Sequence, residues 1–118
     1  WLGMKPYEDL YQYLWRFDVA IIPFLLNPIT LVTSPIKLFE YMACGKPTVA
    51  TPIPECKRYP QVLIAETLRD FSKQLEIALT DRRCNPAYLA QIDQLARENS
   101  WSARALTLSY QLCKVLGD

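Results

Sequence analysis

A chain of 118 residues with 13 basic and 12 acidic side chains, formally +1, has room for one domain with a real core and no charge field favouring nucleic acid or an anionic membrane. Apolar residues make up 51% of it, yet the longest apolar run, Val19 to Leu26, is far too short to span a bilayer, so no transmembrane segment is expected. The absence of histidine excludes a Ser-His-Asp or Cys-His mechanism completed within the chain. It also leaves the irregularly spaced Cys44, Cys56, Cys84 and Cys113 without a zinc pattern, so they read as free thiols of a reducing cytoplasm and as small buried hydrophobes.

Pro6 suits the first position of a helix over Tyr7–Phe17, where Glu8 and Asp9 complement the N-terminal dipole and Leu10, Tyr13, Leu14 and Phe17 form the apolar stripe. Val19 to Ile22 is a continuous apolar run of strand length, as expected of a parallel strand buried on both faces. Phe24 to Pro35, rich in Asn, Thr, Ser and Pro, reads as a long loop of the kind that usually carries function.

Ile36, Leu38, Phe39, Met42 and Ala43 then recur with helical spacing, and Gly45 before Pro47 is the stop signal, with Gly45 in a left-handed conformation. Pro47 to Thr51 predicts a second strand. Pro52, Pro54 and Pro60 mark a stiff, turn-rich segment before a short strand over Val62–Ala65. Thr67 caps a helix over Leu68–Leu79. Further helices are predicted over Pro86–Glu98 and Ser102–Leu116, the latter capped by Ser100. Alternating strands and helices give an α/β fold with a parallel sheet and a helical C-terminal tail.

The segment Ser34 to Glu55 is the most informative. Ligands of parallel sheets bind beyond the carboxyl ends of strands, where loops entering helices present free amides to anions. Lys37 in the first helical turn and Glu40 one turn later lie on nearly the same face and suit a phosphate and a hydroxyl of one ligand; the plainer alternatives are a solvated lysine and a Lys37–Glu40 surface ion pair. Amides of Ser34, Ile36 and Lys37 could share a phosphate. The hydroxyls of Thr33 and Ser34 contact phosphate or base, or satisfy nearby backbone groups. Glu55 faces the same crevice or is a solvated loop carboxylate. Gly45-Lys46-Pro47-Thr48 is not an ATPase loop, because Glu40 and Pro47 stand where that loop needs glycine and Ser or Thr.

Ser34 to Glu55 resembles the donor-binding motif of GT-B fold glycosyltransferases of the retaining group 1, or family 4-like, kind. Tyr7 to Leu10 through Asp18 to Phe24 resembles that family's preceding helix and strand, and Glu98-Asn99-Ser100-Trp101 the start of its C-terminal helix. The resemblance implies a partial Rossmann-like sheet of the GT-B C-terminal domain type. Residues 1–118 would be the second half of the nucleotide-sugar-binding domain, truncated at the N-terminus, with the acceptor-binding domain missing; an opening Trp1 in place of Met fits that expectation.

By the same resemblance, Lys37 contacts the donor diphosphate and is the catalytic residue. Glu40 grips the ribose, and Thr33, Ser34 and Ile36 complete the donor-binding set. The better-known form of the motif has another glutamate eight residues before Glu40, where this chain has Val32, a departure shared by a Ser-Pro-x-Lys subgroup. The implied reaction is metal-free, cofactor-free hexosyl transfer from a UDP or GDP sugar to a glycan or lipid-linked acceptor. The implied setting is the cytoplasm, peripheral to the inner membrane face. A transferase-derived interaction module, dimerising through an exposed sheet edge, is the alternative from another class. A nucleotide-binding α/β protein unrelated to sugars is weaker, because the glycine-rich turn of dinucleotide sites is absent.

Overall fold

The computed structural model describes residues 2–117, leaving Trp1 and Asp118 outside the described residues. Three parallel strands, β1 (Ala20–Ile22), β2 (Thr48–Ala50) and β3 (Leu63–Ile64), form one sheet in the order β1-β2-β3, in register Ile22 to Ala50 and Ala50 to Ile64. Six α-helices surround and extend it: α1 (Leu10–Leu14), α2 (Lys37–Ala43), α3 (Pro54–Lys57), α4 (Leu68–Ile77), α5 (Pro86–Glu98) and α6 (Trp101–Leu116). This is the α/β architecture the alternation predicts, a partial Rossmann-like sheet ending in a helical tail.

Period-two alternation along the strands builds two apolar layers. Ile22 and Ala50 face Leu38 and Met42 of α2 and Tyr88 and Ile92 of α5, with Cys56 of α3 in the same cluster. Val49 faces Ala78 and the half-buried Phe71 and Leu75 on the other side. β2 is buried on both faces but β1, the strand whose apolar run predicts such burial, is not: Ile21 remains 45% exposed. The run Val19 to Ile22 identifies a strand correctly and its burial incorrectly, because β1 is a sheet edge and the α4 layer lies over β2 and β3.

Polar groups fix the strand ends. Thr51 Oγ1 donates to Phe24 O at 2.8 Å, joining the loops that leave β1 and β2, and Lys46 Nζ reaches Trp15 O at 3.0 Å, joining the turn before β2 to the end of α1. Gly45, at φ 67°, makes the left-handed exit from α2. Thr67 forms a reciprocal capping box with Asp70, and Asn85 and Ser100 cap α5 and α6 with their side chains.

Other boundaries differ from expectation for local reasons. The predicted Tyr7–Phe17 helix splits into a 3-10 turn over Tyr7–Asp9 and a short α1, since no side chain caps it and none of its residues is buried. The turn-rich proline segment contains α3, with Pro54 at its start and Glu55 in its first turn, the same signal that opens α5 with Pro86. α4 runs on through a π-helical stretch over Ala78–Arg82. Cys56 is buried, but Cys84 and Cys113 are exposed, so the small-buried-hydrophobe reading fails for those two. Among the described residues no helix is long and apolar enough to cross a membrane.

Candidate functional site

α2 is amphipathic in a way that sorts its residues into two jobs. Leu38 and Met42 are fully buried and anchor the helix to sheet and α5, which leaves Lys37 exposed and Glu40 half-buried on the opposite side. Pro35 is buried just ahead of the helix and its carbonyl accepts from the Leu38 amide at 3.0 Å, fixing the entry angle of the loop. Among the described residues none accepts a hydrogen bond from the amides of Ser34, Ile36 or Lys37. A strip of unspent donors therefore lies where the loop turns into the helix.

Lys37 and Glu40 do not pair with each other. The Lys37 ammonium stands 5.0 Å from the centre of the Phe24 ring, a cation–π contact at the carboxyl end of β1. Phe24 in turn lines a cavity of about 430 Å³ beyond the carboxyl ends of β1 and β2, together with Thr51, Pro52 and Thr67. Glu40 looks the other way. Its Oε1 accepts from the Tyr7 phenol at 3.0 Å, and that bond, with the carboxylate's charge, pushes the phenol above its ordinary value.

Ser34, Ile36 and Glu40 do come together, along one side of a groove of about 230 Å³ whose far side is Asn99, Trp101 and Arg104. Arg104 is held there by Asn99, through Nε to the carbonyl at 3.2 Å and a terminal nitrogen to Oδ1 at 3.3 Å, and lies 5.0 Å from the centre of the Phe39 ring. Thr33 lies in a neighbouring cleft that it shares with Ser34, Glu55 and Arg58. The Thr33 hydroxyl donates to Ile29 O at 2.8 Å, the local satisfaction such loop hydroxyls find. Of the predicted residues, then, Ser34, Ile36 and Glu40 share one groove, Ser34 links it to Thr33, and Lys37 is turned toward the sheet mouth.

Sequence reasoning missed Tyr7, Arg104 and the true setting of Glu55. The Glu55 side chain is only 16% exposed, paired with Arg58 at 3.0 Å and accepting from Tyr59 at 3.3 Å, so it is not a solvated loop carboxylate. Burial of Tyr59 itself, then the neighbouring Glu55 charge and that hydrogen bond, raise the Tyr59 phenol. The only sequence signal for the far wall was the Asn99-Ser100-Trp101 run at the helix start; nothing local to Tyr7 marks a contact 33 residues away. Among the described residues no cluster of His, Cys, Asp or Glu side chains is placed to hold a metal ion.

Comparison with known proteins covers most of this chain. The family model described as "Glycosyl transferases group 1" matches residues 1–81, a stretch that runs from the first residue through β1, α2, β2, α3, β3 and α4. A Bacillus subtilis (strain 168) protein named "Putative teichuronic acid biosynthesis glycosyltransferase TuaH" is 26% identical over 107 residues, which cover 86% of this chain and 27% of that protein. The chain thus spans about a quarter of the length of that curated relative. No solved structure matches it significantly.

Proposed function

Because the chain belongs to the group 1 glycosyl transferases, a family of GT-B fold, we propose that it supplies the nucleotide-diphosphate half of a sugar-donor site. The carrying observation is the arrangement around the start of α2: unspent amides at Ser34, Ile36 and Lys37, the exposed Lys37 ammonium resting on Phe24, and the oriented Glu40 carboxylate one turn on. Residues 1–118 act as the later part of a C-terminal nucleotide-sugar-binding domain within a longer transferase. The acceptor-binding domain lies beyond them, so the chain alone turns over no sugar.

In this reading the donor is a UDP or GDP hexose. The amides and Lys37 hold its diphosphate, and Glu40 accepts hydrogen bonds from the ribose hydroxyls. Charge builds on the diphosphate as the glycosidic bond breaks, and Lys37 stabilises that charge in place of a metal ion. Thr33, Ser34 and Ile36 border the nucleotide. The anomeric configuration is retained, and the acceptor is a glycan or lipid-linked sugar. The relative's name, which gives it a glycosyltransferase role in teichuronic acid biosynthesis, supports sugar transfer. The setting is cytoplasmic, at the inner face of the membrane.

Thermal unfolding with millimolar UDP, GDP and ADP tests the site. At about 100 times its dissociation constant a nucleotide stabilises by roughly 2.7 kcal/mol, about 4–8 °C for a domain of this size. A base-selective shift that disappears in Lys37→Ala and Glu40→Ala supports the reading, and a wild-type chain that stays folded with no shift counts against it.

A second reading, an interaction module derived from a transferase, is favoured by α6, in which no residue is buried and Leu106, Leu108, Tyr110 and Leu112 all face solvent. Self-association through α6 or the open edge of β1, unaffected by nucleotide, is its expected signature in light scattering.

A further inference from the structure

We infer that Tyr7 is a positioning residue for Glu40 and, through it, sets a preference for ribonucleotides over 2′-deoxynucleotides. This rests on the donor-site reading and adds to it a residue from a separate element. Tyr7 lies in the 3-10 turn over Tyr7–Asp9, and its phenol donates to Glu40 Oε1 at 3.0 Å across 33 residues of chain. No other side chain holds the Glu40 carboxylate among the described residues.

Glu40 sits between two grooves. One carries Ser34, Ile36 and Arg104, and the other is walled by Glu8, Tyr11 and Leu14, with Tyr7 standing at both. A glutamate with three rotatable bonds at such a ridge can swing into either groove, and ordering it costs conformational entropy. The Tyr7 bond removes that freedom. It also occupies a single lone pair of Oε1, leaving the rest of Oε1 and all of Oε2 as acceptors for adjacent hydroxyls. Two neighbouring hydroxyls need both oxygens presented in a fixed plane, whereas a 2′-deoxyribose, with one hydroxyl, follows a swinging carboxylate at little loss. Tyr7 is 68% exposed, so its ring contributes little to the core and removing its hydroxyl leaves the fold intact.

The experiment measures binding of UDP and GDP, each beside its 2′-deoxy form, to the full-length protein and to Tyr7→Phe, Glu40→Ala and Tyr11→Phe. Tyr11 lines the second groove without a hydrogen bond to Glu40 and serves as the control. Tyr7→Phe is expected to weaken the ribonucleotide about fivefold and the deoxynucleotide less than about twofold, as loss of one orienting hydrogen bond predicts, with Tyr11→Phe unchanged. Equal losses on both sugars, no loss, or tighter binding in Tyr7→Phe overturns the assignment while Glu40→Ala still abolishes the ribose preference. A wild-type protein that does not distinguish ribose from deoxyribose, or a Glu40→Ala variant that binds like wild type, removes the role of Glu40 itself and the Tyr7 assignment with it.

Discussion

α5 and α6 follow one another across Asn99 and Ser100, each with a side-chain cap, and they end up in opposite circumstances. α5 inserts Tyr88 and Ile92 into the main core, ties down the entry to β3 through the Tyr88 hydroxyl at 2.9 Å from Gln61 O, and packs along α2. α6 is longer and more apolar, ends on a left-handed Gly117, and buries nothing. Local signals were equally good in both. The difference teaches that caps and periodicity decide where a helix starts and stops, whereas its worth to the fold is decided by whether neighbouring elements cover it.

The widest gap between the two regions is expected in thiol chemistry. Cys56, buried in the α5-side core, has its thiol pushed up to about 11 by burial and by the neighbouring Glu55 carboxylate, whereas Cys113 on α6 is exposed. Alkylation at pH 8 followed by mass spectrometry should modify Cys113 at least about 100-fold faster than Cys56, and faster labelling of Cys56 would mean that the α5 core opens readily. Because an unfolded Cys56 ionises near its ordinary 9.0 and the folded one near 11, the unfolded state binds fewer protons in that window. Stability should therefore fall as pH rises from about 9 to about 11, and Cys56→Ala should flatten that slope.

Next in size are paired core and surface truncations. Ile92→Ala in α5 should cost about 3 kcal/mol in chemical denaturation, from lost burial and the cavity left behind, while Leu108→Ala in α6 should change stability by under about 0.5 kcal/mol. Similar losses in both would show that α6 is covered in solution, as the interaction-module reading requires.

Within α2 the same contrast is compressed into adjacent residues. Lys37→Ala should leave the unfolding midpoint nearly unchanged, since its ammonium makes only an exposed cation–π contact with Phe24, yet lower sugar transfer by the full-length protein about 100-fold. An unchanged transfer rate would remove Lys37 from the site. The smallest expected effect is at the caps: Asn85→Ala should cost about 1 kcal/mol of global stability, whereas Ser100→Ala should only speed hydrogen exchange in the first turn of α6.

Much of the molecule was legible in its residues. Gly45, Thr67 and Ser100 each act through atoms a few positions away, so their turns and caps follow from local chemistry, and the three strands follow from short runs between turn signals. The family resemblance over Ser34–Glu55 was equally visible, because a proline just ahead of a helix and a lysine and a glutamate within it need no distant partner to be recognised.

The tertiary structure alone decided what those side chains meet. It turned Lys37 to Phe24 and Glu40 to Tyr7 instead of to each other, made β1 an open edge with Ile21 exposed, and sank Glu55 beside Tyr59. It also placed Arg104 across the groove from Glu40. Each of these depends on residues far apart in the chain being brought together by the burial of Ile22, Leu38, Met42 and Ile92, and long-range packing of that kind leaves no periodic trace in the sequence around the residues it positions.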